Sequence, residues 1–302
     1  MKKKIVLAGG SGFLGEKLAN YLVERNYKVV ILTRNKKEMR NQVSYVEWDG
    51  QTLGNWVTEI NGSYAIVNFT GKSVDCIYTS KNKEEILNSR IHSVEVLQKA
   101  ILHSEQPPKV FIQAGSLAIY GNTKKESDET AEHGKGFSVE VCQKWEKQFY
   151  EVDLPHTRKI LYRIGFVLGE DGGALEPLKK LVSFHLGGTV GAGTQYISWL
   201  HIDDCNEMFL KAIEDNEYVG TFNATSPKAV TNKEFMTTLR QVMGKGWGMP
   251  APSPLVWFGA YFLLKTEPSL ALTGRNCSPK KLMQKGFVFK YENLTLALKN
   301  TI

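Results

Sequence analysis

Apolar and polar positions fall into alternating blocks along this chain. Ile5–Ala8 is a short continuous apolar run, the pattern of a buried strand. After it, Leu18, Ala19, Leu22 and Val23 share one face of a helix predicted over Glu16–Arg25. Lys28–Thr33, Val43–Trp48 and Tyr64–Phe69 read as three further strands. Ile86, Leu87, Ile91, Val94, Leu97 and Ile101 recur at helical spacing and predict a long helix over Lys83–His103. A fifth strand at Val110–Ala114, a helix at Val139–Tyr150 and a sixth strand at Thr157–Arg163 follow. Strands that alternate with helices imply an α/β protein whose parallel sheet is covered on both faces.

Beyond Gly165 the texture changes. "GEDGGAL" and "LGGTVGAGTQ" read as glycine-rich connections, and Val219–Ala224 as one more strand. Thr231 and Glu234 have the spacing of a capping box. Ser278 as cap with Pro279 at the first helical position predicts another helix start. "PLVWFGAYFLL", Pro254 to Leu264, is the most apolar stretch. It is too short to span a bilayer and reads as a buried or interface helix. The expected organisation is a nucleotide-binding unit over residues 1–165, with 199–225 returning to it. A smaller mixed α/β substrate-binding unit would comprise 166–198 and 226–302.

Composition narrows the function classes. The chain has 302 residues, 42% of them hydrophobic and 23% charged, enough for a real core. A net charge of +7 favours an anionic ligand, but the lysines are dispersed and no basic run is interleaved with aromatics. Nucleic acid is therefore not expected as a partner. "MKKK" is followed by an apolar run that stops at Gly9, too short for a secretory signal. Cys76, Cys142, Cys205 and Cys277 form no CxxC pair, and free thiols in a cytoplasmic protein are the expectation. No integral membrane span is expected, while a protein partner and a homo-oligomer stay open.

The chemistry starts at "GGSGFLG". Gly9 permits a tight turn, Gly12 lets backbone approach a diphosphate, and Gly15 lets helix and sheet pack closely. The amides of the helix N-terminus then face the ligand, with Ser11, Phe13 and Leu14 between the glycines. At the end of the second strand NAD would require an acidic residue for its ribose 2′-hydroxyl. Thr33 and Arg34 stand there instead, and a guanidinium matches a 2′-phosphate, so the expected cofactor is NADP(H). Phe69, Thr70 and Gly71 would close the fourth strand at the ligand-bearing edge. This is the pattern of a Rossmann-type doubly wound sheet.

"GGSGFLG", "IVNFTG", "GSLAIYG" and "RIGFVLG", in this order, resemble the extended short-chain dehydrogenase/reductases. "EILNSRI", "KWEKQ", "LGGTVGAGTQYISWLHIDD", "FNATSPKAVTNKEF" and "SPKKLMQKGFVFKY" are similar to an atypical branch. That branch is the NAD-dependent epimerase/dehydratase-like family with a distinct C-terminal domain. The resemblance, spanning about residues 4 to 298, implies that Glu85 and Arg90 face the cofactor and that Val167 lies near the nicotinamide. Read alone, Glu85 and Arg90 suit a solvated helix face.

The same resemblance implies catalysis by Ser, Tyr and Lys, with Tyr and Lys four apart on one helix face. Ser116 matches the serine, but the pair would fall near Val141 and Trp145, which can neither transfer a proton nor act as an ammonium. Glu140 and Gln143, not tyrosines, precede Lys144 and Lys147 by four. Tyr120 is the substitute proton donor, or else an aromatic wall of the pocket. His201 in "SWLHIDD" suits a structural hydrogen bond better than an acid role. HExxH, Cys/His clusters, GxSxG and GxxxxGK[ST] are all missing, which argues against a metal site, a hydrolase elbow or a P-loop. The expected function is an NADP(H)-dependent oxidoreductase or epimerase-like enzyme on a small carbonyl or hydroxyl substrate, which could be a nucleotide sugar. The alternative is a non-catalytic NADP(H)-binding regulator or redox sensor working through a protein partner.

Overall fold

The computed structural model describes residues 2–35, 38–263 and 265–302. Lys4–Ala8 (β1), Lys28–Thr33 (β2), Val43–Glu47 (β3), Ala65–Asn68 (β4) and Val110–Ser116 (β5) occupy the apolar blocks that predict strands. Thr123–Ser127 (β6), Arg158–Ile164 (β7), Phe166–Leu168 (β8), Tyr196–Ile197 (β9), Trp199–His201 (β10), Gly220–Ala224 (β11), Val230–Thr231 (β12) and Arg275–Cys277 (β13) follow. Seven of them make one parallel sheet in the order β11-β7-β5-β4-β1-β2-β3. The order reverses between β1 and β4, the place where an open α/β sheet opens a crevice at its carboxyl edge. The fold is the Rossmann-type α/β expected from the sequence.

Phe13–Glu24 (α1), Val57–Ile60 (α2), Ser80–Leu102 (α3), Phe137–Glu151 (α4), Leu175–Ser183 (α5), Ile202–Glu214 (α6) and Asn232–Val242 (α7) are the main helices. Alternate residues of each strand face opposite sides. Ile5 and Leu7 join Leu18 and Leu22 of α1 and Met208 and Phe209 of α6. Val6 and Ala8 join Val94, Leu97 and Ile101 of α3 and Trp145 and Phe149 of α4. A separate cluster joins Trp199, Phe235, Leu239 and Leu298 beneath β8 and α7.

Several starts differ from expectation. The long helix α3 begins three residues early because Thr79 Oγ1 accepts the Asn82 amide at 3.2 Å and caps it. The capping position at Thr231 is as expected, its Oγ1 accepting the Glu234 amide at 3.2 Å. Ser278 does not cap: its amide donates to Ser127 and its carbonyl accepts from Asn223 Nδ2. The helix there runs Lys280–Gln284, with Pro279 in the cap position. Its Lys281 amide is met instead by Glu129 Oε2 at 3.2 Å.

Of the two expectations for "PLVWFGAYFLL", a buried or an interface helix, burial does not hold. It forms a short helix, Ser253–Phe258, and a π-helical turn, Gly259–Leu263, while Leu264 lies outside the described residues. Leu255, Trp257, Phe258 and Phe262 are each about half exposed. Just before the segment Ala251 bridges Val190, and the segment's rings pack on one another, Trp257 on Tyr261 at 5.3 Å.

Candidate functional site

The β1–α1 turn sets the site. Gly9 takes φ +67°, and a β carbon on it would meet Thr70 Cα at 2.8 Å. A β carbon on Gly15 would strike Gly10 O at 2.3 Å, so the helix can approach the turn only without one. Gly12, the α1 N-cap, has nothing within 4 Å of its β position. No side chain caps α1, so its first amides are left for a ligand or water.

These residues open into a cavity of about 580 Å³ at the carboxyl edge of the sheet. Gly9, Gly12, Phe13, Leu14, Gly15, Phe69 and Val167 line it together. Ser73, Ala114, Gly115, Ile164, Gly165, Phe166, Gly173 and Ala174 line it too; most of them lie in the quoted glycine-containing stretches, but none is a candidate site residue by sequence. Gly173 belongs to the "GEDGGAL" connection, which the fold lays against Phe13: a Gly173 β carbon would lie 2.9 Å from that ring.

A second cavity, of about 450 Å³, lies on the outer side of the turn between Ser11, Glu16, Asn20, Glu38, Arg40, Asn41 and Tyr45. Thr33 is buried at the end of β2 and its Oγ1 donates to Ser11 Oγ at 3.1 Å. Arg34 follows, exposed, while Arg40 lines the cavity wall. Arg40 offers this end a second guanidinium, one that no strand-end rule points to.

The loop after β4 is held by a buried network. Asn68 Oδ1 accepts the Thr70 amide at 3.0 Å, and Asn68 Nδ2 donates to Gln113 Oε1 at 2.9 Å and Ser93 Oγ at 3.2 Å. Thr70 Oγ1 is buried with no hydrogen-bond partner among the described residues, an open polar position beside Gly9. An orphaned hydroxyl, an uncapped helix and an uncluttered Gly12 fit a diphosphate-bearing dinucleotide.

Gly71, Glu85 and Arg90 stand behind this loop rather than in the cavity wall. Gly71 lies against Arg90, with 3.0 Å from its β position to the guanidinium carbon. Glu85 pairs with Lys72 of the loop, whose Nζ also donates to Asn82 Oδ1 at 2.8 Å. That pairing holds the Glu85 carboxyl below its ordinary range.

Ser116 ends β5, and its Oγ accepts the Ala118 amide at 3.1 Å, starting the 3₁₀ turn Leu117–Tyr120. Tyr120 is 3% exposed. Its hydroxyl accepts from Arg163 Nη1 at 2.7 Å and donates to Asn223 Oδ1 at 2.8 Å. Burial pushes its pKa up to about 12, against the Arg163 charge. Val141 and Trp145 of α4 are both buried.

His201 is the N-cap of α6: its Nδ1 accepts the Asp203 amide at 3.1 Å, and the ring lies 3.8 Å from that of Tyr291. Burial pushes its pKa down to about 4, with Asp203 opposing. The folded protein therefore holds this proton less tightly than the unfolded chain. Stability should be unaffected above about pH 6.5 and fall as the pH drops toward 4, by up to about 3 kcal/mol. Urea titrations of wild type and His201→Asn between about pH 7 and 4.5 check this, since Asn keeps a capping oxygen but does not titrate. Equal losses in both proteins would refute a neutral buried imidazole.

Among the described residues no helix is long and apolar enough to cross a membrane, and no group of His, Cys, Asp and Glu converges as a metal site.

Comparison with known proteins places this geometry. Residues 5–141 match the family model described as NAD dependent epimerase/dehydratase family, and 252–301 match a domain of unknown function, DUF1731. The epimerase family protein YfhF of Bacillus subtilis is 33% identical across 99% of this chain and 97% of its own. An Arabidopsis thaliana relative, the chloroplastic SDR39U1 homolog of the epimerase family, is 30% identical across 98% of this chain and 85% of its own. A crystal structure of the human epimerase family protein SDR39U1 with NADPH superimposes with a TM-score of 0.87 at 28% identity, covering 99% of this chain and 98% of that one. The uncapped glycine turn, the reversed strand order and these end-to-end likenesses agree: the chain belongs to the NAD-dependent epimerase/dehydratase family, in its atypical short-chain dehydrogenase/reductase branch with a DUF1731 C-terminal domain.

Proposed function

We propose that this chain is an NADP(H)-dependent oxidoreductase or epimerase-like enzyme acting on a small carbonyl- or hydroxyl-bearing substrate without the usual Tyr–Lys pair. The observation that carries the reading is the uncapped α1 N-terminus opening, at Gly12, onto the 580 Å³ cavity. When bound, the nicotinamide supplies or accepts hydride. Gly9, Gly12 and Gly15 with the α1 amides hold the diphosphate, and the Thr70 hydroxyl adds a bond. Ser11, Thr33, Arg34 and Arg40 hold the adenosine-side phosphate. Glu85, Arg90 and Gly71 brace the loop that carries Phe69 and Thr70. Phe13, Phe166 and Val167 exclude water from the reacting end. Ser116 orients the substrate oxygen, and the proton passes through that hydroxyl or a water. Tyr120, buried between Arg163 and Asn223, stiffens the turn that presents Ser116. Free, largely buried cysteines suit a reducing cytoplasm.

Arg34→Ala and Arg40→Ala test the cofactor end. NADPH affinity should fall about ten- to hundredfold, because a charge-assisted bond to phosphate is lost, while NADH affinity stays within about threefold. Titration by reduced-nicotinamide fluorescence reads both. Equal loss for the two nucleotides would move the 2′-phosphate elsewhere, and no binding of either would end the enzyme reading.

A second reading, a non-catalytic NADP(H)-binding regulator, draws on the exposed aromatic ridge of Trp257, Phe258 and Phe262. Tight NADPH binding with no turnover of carbonyl compounds or nucleotide sugars would favour it.

A further inference from the structure

The aromatic ridge is one part of a wider apolar face. Pro250, Pro252 and Pro254 stand at alternate positions ahead of it. Lacking amide hydrogens, they keep that stretch from closing into a helix before Ser253. The chain there docks on the connection after α5 instead. The Met249 amide donates to the His185 carbonyl at 2.7 Å, and the Gly188 amide to the Met249 carbonyl at 3.1 Å. Two residues on, the Ala251 amide donates to Thr189 at 2.9 Å and the Gly191 amide to Ala251 at 2.8 Å. These bonds hold the two stretches side by side and leave their apolar side chains in water. Phe184 is 75% exposed and Trp247 59%, with Leu186 and Met249 about half exposed.

The ridge continues from this docked stretch. The β position of Gly191 lies 2.8 Å from Ser253 Oγ, so the short helix starts beside it. Leu255, Trp257, Phe258 and Phe262 then follow, each about half exposed. The Phe262 ring centre lies 4.8 Å from that of Phe258 and 6.1 Å from that of Trp257. The rings shield one another only in part, and exposed apolar area on this scale marks a surface that something covers.

Charge says what covers it. No Asp or Glu occurs between Glu176 and Asp203, or between Glu234 and Glu267. Those same stretches carry Lys179, Lys180, Arg240, Lys245 and Lys265. Lys179 pairs with Glu176 at 3.3 Å and Arg240 Nη1 donates to the Gly187 carbonyl at 2.7 Å, while Lys180 and Lys265 are exposed. Exposed Trp, Phe and Leu beside lysines, with no acidic residue among them, is the pattern of a surface that meets anionic lipid. A second copy of the chain would bring like charges against one another across a symmetric interface. Among the described residues no helix is long and apolar enough to cross a membrane, so the rings would lie in the headgroup region.

We propose that this face binds the surface of an anionic lipid bilayer, with Trp247, Trp257, Phe258 and Phe262 entering the interface and Lys180 and Lys265 facing the headgroups. The proposal is independent of the cofactor reading, since it concerns the outer face of the C-terminal segments and is measured without nucleotide.

Flotation of the full chain with vesicles tests it. Vesicles of phosphatidylcholine with about one-third phosphatidylglycerol should carry the protein upward at about 0.1 M salt, and pure phosphatidylcholine should bind it about tenfold more weakly. The Trp257→Ser, Phe258→Ser double variant should bind the anionic vesicles at least about tenfold more weakly, because the buried apolar area is lost. Its urea midpoint should match wild type, since both rings are exposed. The Lys180→Glu, Lys265→Glu double variant removes no ring, and it should lose about tenfold on anionic vesicles while its binding to pure phosphatidylcholine is unchanged. Wild type that binds no anionic vesicle, or both vesicles equally, overturns the proposal. So does binding unchanged in both double variants. A dimer seen by sedimentation equilibrium without lipid, and lost in the Trp257→Ser, Phe258→Ser variant, would also overturn it by giving the face to a second copy.

Discussion

Gly15→Ala is expected to destabilise the protein by about 3 kcal/mol and to abolish measurable NADPH binding. The new β carbon would sit 2.3 Å from Gly10 O and 2.4 Å from Gly10 Cα. Both are main-chain atoms of the turn, so no rotamer relieves the clash. Helix α1 must lift from β1, and Leu18 and Leu22, fully buried against the sheet, lift with it. Gly12→Ala is the informative contrast. Nothing lies within 4 Å of its β position, and its φ of −91° suits any residue. It should cost less than about 1 kcal/mol of stability while still weakening NADPH strongly, because the methyl group enters the space reserved for the diphosphate. Urea unfolding and nucleotide titration of the two variants separate packing from ligand approach. Full cofactor affinity in both variants would show that the turn does not carry the diphosphate.

The second large effect lies at the Arg163–Glu146 pair, whose side chains are 6% and 12% exposed. Glu146→Ala should cost about 3–5 kcal/mol, because the guanidinium stays buried with its charge unmatched. Arg163 would keep only the Tyr120 hydroxyl, at 2.7 Å, and His133 Nε2, at 3.3 Å, neither of which carries a full negative charge. The double variant Arg163→Met, Glu146→Leu should recover most of that loss, since well-packed apolar side chains replace a buried pair at little net cost. A double-mutant cycle by urea unfolding measures the coupling. A double variant as unstable as Glu146→Ala would show that packing, rather than the unmatched charge, dominates. The effect reaches the site through Tyr120, which ends the turn that Ser116 begins.

Where spacing is local, the sequence already carried the answer. A run of four apolar residues, three glycines at fixed intervals and an amphipathic segment behind them define β1, the turn and α1 without help from distant residues. The strand–helix alternation likewise implied the parallel sheet, and Thr231 with Glu234 marked the start of α7. Backbone geometry and periodicity act over a few residues, so one stretch of chain is enough to read them.

Tertiary structure alone decided what each charge and each exposed ring would meet. Glu85 and Arg90 sit on the same helix, yet one pairs with a loop lysine and the other meets no carboxylate among the described residues. Gly173 and Phe166 reach the cavity because the chain returns over the sheet edge after β7. Ser278 was a good cap by type, but β6 and Asn223 claim its backbone, and Glu129 meets the helix amide in its place. "PLVWFGAYFLL" reads as a buried or interface helix by composition, and its Leu255, Trp257, Phe258 and Phe262 side chains stand about half exposed. Such outcomes depend on which partner arrives from far along the chain, and the energy of a charge or a ring is set by that neighbour rather than by the residues beside it in sequence.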